Sequence, residues 1–130
     1  MDAELKRKWV EALRSGEYKQ GDSKLHDPKS DAFCCLGVLC KVAGADFGPY
    51  VGLDANDEYG DYDHVPVLGG EIISGRDDEE LSSEFAYRIG LSEHQAALIR
   101  MNDGFGVVGR EGYRAPQSFL EIADYIEANL

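Results

Sequence analysis

The segment Phe33-Cys-Cys-Leu-Gly-Val-Leu-Cys-Lys-Val-Ala43 constrains the fold more than any other part of the chain. It carries one charge, Lys41, in eleven residues. Its length fits three turns of a buried helix, and its low β-branched content argues against a strand. Gly44 supplies the stop. Gly37 opposes the helix by about 1 kcal/mol.

Amphipathic stripes lie at either end of the chain. Leu5, Trp9, Ala12 and Leu13 fall at i, i+4, i+7 and i+8, one face of a helix that Ser15-Gly16 should stop. Ser118-x-x-Glu121 is a capping box, and Phe119, Ile122, Ala123, Ile126 and Leu130 continue the stripe behind it. Between these ends, residues 17–32 read as a polar loop with a turn at Asp27-Pro28. Residues 45–63 are acidic and glycine-rich, with Tyr50, Tyr59 and Tyr62, and read as an irregular excursion. A hairpin is expected from His64 to Ile73 around Gly69-Gly70, with Pro66 confining its first strand to an edge. Asp77 to Ile89 predicts a helix with acids in its first turn and Leu81, Phe85 and Ile89 on one face. Ser92-x-x-Gln95 predicts a capped helix to about Met101, closed by Asn102-Asp103-Gly104. Phe105–Val108 and Gly112–Arg114 are spaced for a second hairpin. The expected fold class is α+β: one domain over residues 1–130, mostly helical, with about five helices and one or two short hairpins.

The chain has 130 residues, 43% hydrophobic and 29% charged, which suits a folded domain and is too short for two. No apolar run approaches the roughly 18 residues a membrane helix needs. The first eight residues hold no signal-like apolar core, so a cytoplasmic location is expected. Three cysteines, two adjacent, form neither a disulfide framework nor a metal spacing, and reduced thiols are expected.

Thirteen basic against 25 acidic residues give a net charge of −12. The first 41 residues are net +1 and the rest net −13; between Val42 and Glu84 there are twelve acids and one base, Arg76. Such a surface repels phosphate backbones and disfavours direct nucleic-acid binding. It suits a basic protein partner or, more simply, keeps the chain soluble.

Several constellations carry chemistry on paper. Ala86 to Ala96 has helix-turn-helix spacing, but Asp77, Asp78, Glu79, Glu80 and Glu84 crowd it with negative charge, so it reads as two packed helices with a sharp turn. Asp54 to Asp63 is rich in carboxylates, yet an EF-hand count from Asp54 puts Tyr59 where glycine is needed and Val65 where glutamate is needed. No glycine-rich phosphate loop, zinc spacing or nucleophile elbow occurs, so neither cofactor nor metal is expected. Two clusters of guanidinium, aromatic and amide groups fit a small anionic, nucleotide-like ligand. One is Arg14, Tyr18, Gln20, Lys24 and His26; the other is Arg110, Tyr113 and Arg114, which would close the site from a second loop or across a homo-oligomer.

Phe33-Cys34-Cys35-Leu36-Gly37-Val38-Leu39 resembles the nucleophile helix of the NlpC/P60 cysteine peptidases. That resemblance implies Cys35 as nucleophile and His64 as base, an alternative reading as a hydrolase. The Cys-to-His spacing is short for that family, and Leu36 follows the cysteine.

Trp9 to Gly21, Phe33 to Cys40 and Ser118 to Glu127 together resemble a group of small proteins encoded by tailed bacteriophages and prophages. The resemblance implies a phage accessory protein in the host bacterial cytoplasm. By analogy with other small phage proteins, it implies a non-enzymatic binder that counteracts a host defence pathway. It would sequester a small nucleotide-like signal, or bind a basic host protein through its acidic face.

Overall fold

A computed structural model describes residues 1–47, 65–75 and 79–130. The chain is α+β and mostly helical, as the patterning predicts. Its elements are α1 (Ala3–Arg14), β1 (Lys19–Gln20), β2 (His26–Asp27), β3 (Ala32–Phe33), α2 (Cys35–Val42), β4 (Val67–Leu68), β5 (Glu71–Ile72), α3 (Ser83–Arg88), α4 (Gln95–Asp103) and α5 (Phe119–Asn129).

Helix α2 is the buried one, with Cys35 through Cys40 all in the interior. Helices α1 and α4 pack against it, α5 packs on α1 and α4, and the core gathers Trp9, Leu13, Leu36, Leu39, Leu98, Ile122 and Ile126. Burying a side chain of this size contributes about 1.5–3 kcal/mol. The indole Nε1–H of Trp9 donates to the carbonyl of Cys35 at 2.9 Å, so the buried ring keeps its polar edge satisfied. Gly37 has a packing reason to be glycine: a Cβ there would run into the Leu25 carbonyl, with the Leu25 carbon only 2.7 Å away. The close approach of α2 to this backbone outweighs the propensity that glycine forfeits.

Both end helices form as expected. Asp2 caps α1, and α5 opens with the full capping box between Ser118 and Glu121. The hairpin β4–β5 turns through Gly69-Gly70, both at positive φ (59° and 84°), the geometry of a tight two-residue turn. Between α3 and α4, Leu91 N–H donates to Ala86 O and Gly90 N–H to Tyr87 O, the closing pattern of a sharp helix end.

Other expectations are corrected. Residues 17–32 are not plain loop: β1, β3 and β2 form a three-stranded sheet in that order, β1 parallel and β2 antiparallel to β3. The helix expected from residue 77 begins at Ser83, because Leu81 is bridged to Ser74 and Ser82 caps by accepting from Phe85 N–H. Ser92 and Gln95 form no capping box; Gln95 Oε1 accepts Leu81 N–H at 2.7 Å, and α4 runs to Asp103. The second hairpin reduces to one bridge, Phe105 with Arg114. The tyrosines of the acidic excursion, the EF-hand-like stretch, His64 and the acids Asp77 and Asp78 lie outside the described residues.

Candidate functional site

The polar centre of the molecule is Asn102, near the end of α4 and 2% exposed. Its Oδ1 accepts from Gln20 Nε2 at 3.2 Å and from the backbone N–H of Cys35 at 3.1 Å. Its Nδ2 donates to Gly21 O and to Asp103 Oδ1, both at 2.8 Å. Gln20 in turn donates to Gln117 O at 2.7 Å and accepts from Phe119 N–H at 3.0 Å. One buried amide and one half-buried amide thus tie β1, the start of α2, the end of α4 and the start of α5. A polar group this deep is tolerated because its hydrogen-bonding capacity is used.

The same network pins the base of a loop. Residues 104–114 leave α4 directly after Asn102-Asp103 and return to Gln117, whose N–H donates to Met101 O at 2.7 Å. Phe105, bridged to Arg114 at the base of the loop, is 55% exposed, and Val107 and Val108 further out are 62% and 77% exposed. Arg100 lies over the Phe105 ring, 5.2 Å from its centroid. Arg110 and Arg114 are exposed and Tyr113 is half-buried beside them. Arg7, Arg14 and Arg88 are each ion-paired; among the described residues Arg100, Arg110 and Arg114 form no ion pair. Two of these three arginines, Arg110 and Arg114, lie on the loop, and Arg100 lies in the last turn of α4 just before it.

The first set of expected ligand residues is engaged elsewhere. Arg14 reaches across to α5, with Nη1 and Nη2 donating to Glu127 at 2.9 and 3.0 Å and Nη2 to Asp124 at 2.7 Å. These bonds hold the guanidinium charged, above its ordinary pKa. Gln20 is inside the amide network, and Tyr18 packs edge-on against Phe33, with centroids 5.5 Å apart. His26 stacks on Phe33 at 4.5 Å, and its Nε2 lies 2.9 Å from Asp31 Oδ1. Lys24 is half-buried on the same segment. Arg14, Gln20 and Tyr18 line three separate clefts: Arg14 between α1 and α5, Gln20 beside Asn102 and Ser118, and Tyr18 beside Ala12 and Val42. None of these clefts includes Arg110, Tyr113 or Arg114.

The peptidase alternative meets a physical obstacle. Cys35 does open a helix, but it is 0% exposed, and its thiol donates to Leu98 O at 3.7 Å. Burial pushes the Cys34 thiol up to about 12 and raises Cys35 and Cys40 well above the ordinary range. A nucleophile must be thiolate and reachable, and this sulfur is neither. The candidate base His64 lies outside the described residues.

Sequence reasoning gave Asn102 only the role of closing a helix. Its position four residues after Leu98 places it on the buried face, a signal present in the periodicity. The apolar residues Phe105, Val107 and Val108 suit a strand by type, and three apolar residues in four equally mark an exposed contact loop.

Among the described residues, no helix is long and apolar enough to cross a membrane, and no group of three or more His, Cys, Asp or Glu is placed to hold a metal ion. The model of a family termed a domain of unknown function, DUF8296, matches residues 1–130, and the chain belongs to that family. No curated protein and no solved structure matches it.

Proposed function

We propose that this chain is a non-enzymatic phage accessory protein that docks on a host protein in the bacterial cytoplasm and so counteracts a host pathway. The observation that carries this reading is the 104–114 loop, with Phe105, Val107 and Val108 exposed beside Arg110 and Arg114, which form no ion pair among the described residues. Single exposed apolar residues are ordinary, but three within four positions on a loop pinned at its base make a contact element. Aromatic residues and arginine are the types that anchor interfaces. The charge of −12 steers basic partners to the acidic face, while the loop supplies the short-range contact.

Sequestration of a nucleotide-like signal is less well supported. Arg14 is already chelated by two carboxylates, and Gln20 has spent its amide inside the fold. A photo-reactive residue at position 108, used in the bacterial host, tests the proposal. The expected result is a covalent adduct with a host protein, lost in Arg110→Ala. A stoichiometric nucleotide released by heating the purified protein, with no host adduct, would overturn it.

A further inference from the structure

The 104–114 loop carries net +1 on a chain of net −12, so the chain's own surface offers its charge complement. The outer face of α5 fits it in kind. Leu120, Asp124 and Glu127 lie at i, i+4 and i+7, with Leu120 58% exposed, Asp124 76% and Glu127 54% at their side chains. Arg14 is the one guanidinium bonded to this face among the described residues. The loop is thus apolar with positive charge, and the helix face apolar with negative charge. Within one copy, Arg110 and Arg114 pair with none of these acids.

We infer that a second copy of this chain covers the loop, Arg110 and Arg114 against the α5 carboxylates and Val107 and Val108 against Leu120. The inference rests on reading the loop as a contact element. Two copies exchange the contact symmetrically, each giving a loop and receiving one, which doubles the area and closes the assembly as a dimer. A loop of this size still buries less than the roughly 1,200–2,000 Å² of a standard interface, so the dimer is weak and reversible. Host-protein docking then competes with self-association for one surface.

Sedimentation of the full chain over a concentration series tests this. The expected result is a dimer fraction that rises with concentration and falls at about 1 M salt, where screening acts within about 3 Å. Arg110→Glu with Arg114→Glu should weaken association at least about tenfold. Asp124→Arg should do likewise; Glu121 is left alone because it caps α5. Mixing the two variants should restore a heterodimer, since each loop then meets an opposite charge. Tyr87→Asp, on the exposed side of α3, should change nothing, and circular dichroism checks that each variant is folded. A wild-type chain that stays monomeric, a dimer indifferent to the loop reversal, or variants that fail to re-associate on mixing would each overturn the inference. A monomer whose position 108 still cross-links a host protein would leave the proposed function standing and remove this one. A dimer without any host adduct would do the opposite.

Discussion

Gln20 and Asn102, 82 residues apart in the chain, share a hydrogen bond of 3.2 Å at the point where four elements meet. Apart from the Asn102–Asp103 contact, the side-chain bonds of both amides reach partners more than 60 residues away. Gln20 spends its donors on Asn102 and Gln117 and its acceptor on Phe119. Asn102 spends its own on Cys35, Gly21 and Asp103. The pair acts as a polar latch, closed only when the chain has folded.

Asn102→Ala opens that latch from its buried side. The buried Cys35 N–H loses its partner, which costs about 1–3 kcal/mol, and the half-buried Gly21 carbonyl loses one that water replaces in part. A loss of about 3 kcal/mol is expected, a large part of the roughly 5–15 kcal/mol that holds a domain folded. Gln20→Ala should cost less, because Gln20 is half-buried and water can replace it. The double variant should be less destabilised than the sum, with a coupling of about 0.5–3 kcal/mol. Urea midpoints of the four proteins measure this, and simple additivity would remove the latch.

The parts of the fold legible in the sequence are those set by local repetition. The stripe through Trp9 and Leu13 gave α1, the capping box at Ser118 gave α5, and Gly69-Gly70 gave the hairpin turn. Strands β1 to β3 were invisible because two residues are too few to show alternation. Their pairing is decided by distance in space, as Lys19 opposite Ala32 illustrates. Gln95 misled for a related reason. Its capping spacing is real, but Leu81 N–H offered a tertiary partner that local pattern does not contain.

The expected ligand cluster had the same weakness. Arg14 looked free beside Tyr18 and Gln20, yet its carboxylates arrive from 110 and 113 residues away. The thiols were better judged, because an apolar run is itself a statement about burial. The one candidate group that remains outward-facing is Arg110, Tyr113 and Arg114, where glycine-rich spacing keeps the chain in a loop.

The cysteines should behave as core side chains. Cys34, Cys35 and Cys40 are buried and held as thiols by that burial, Cys34 pushed up to about 12 and the other two raised well above the ordinary thiol value. Native-state labelling with a thiol reagent should therefore be slow at all three, and should accelerate together when denaturant opens the fold. Mass spectrometry of timed samples reads this directly. Rapid modification of Cys35 alone in the folded protein would restore the nucleophile reading.

The bridge between Arg14 and Glu127 predicts a pH dependence. The Arg14 guanidinium, by hydrogen bond first and by charge second, holds the Glu127 carboxyl below its ordinary value of 4.5. A carboxyl whose folded-state pKa is depressed contributes stability above its unfolded value, and loses it as pH falls through the lower, folded one. The wild-type chain should therefore shed this contribution as pH drops below 4.5. Arg14→Ala should be slightly less stable than wild type at neutral pH, because an exposed ion pair is worth little. The gap should narrow toward acid, and it should also narrow at high salt, where exposed charges are screened. Thermal melts of both proteins across this range measure it. A gap that is constant with pH and salt would mean that Arg14 acts through its apolar stem against Val10 and Ala3, which line the same cleft, and not through its charge.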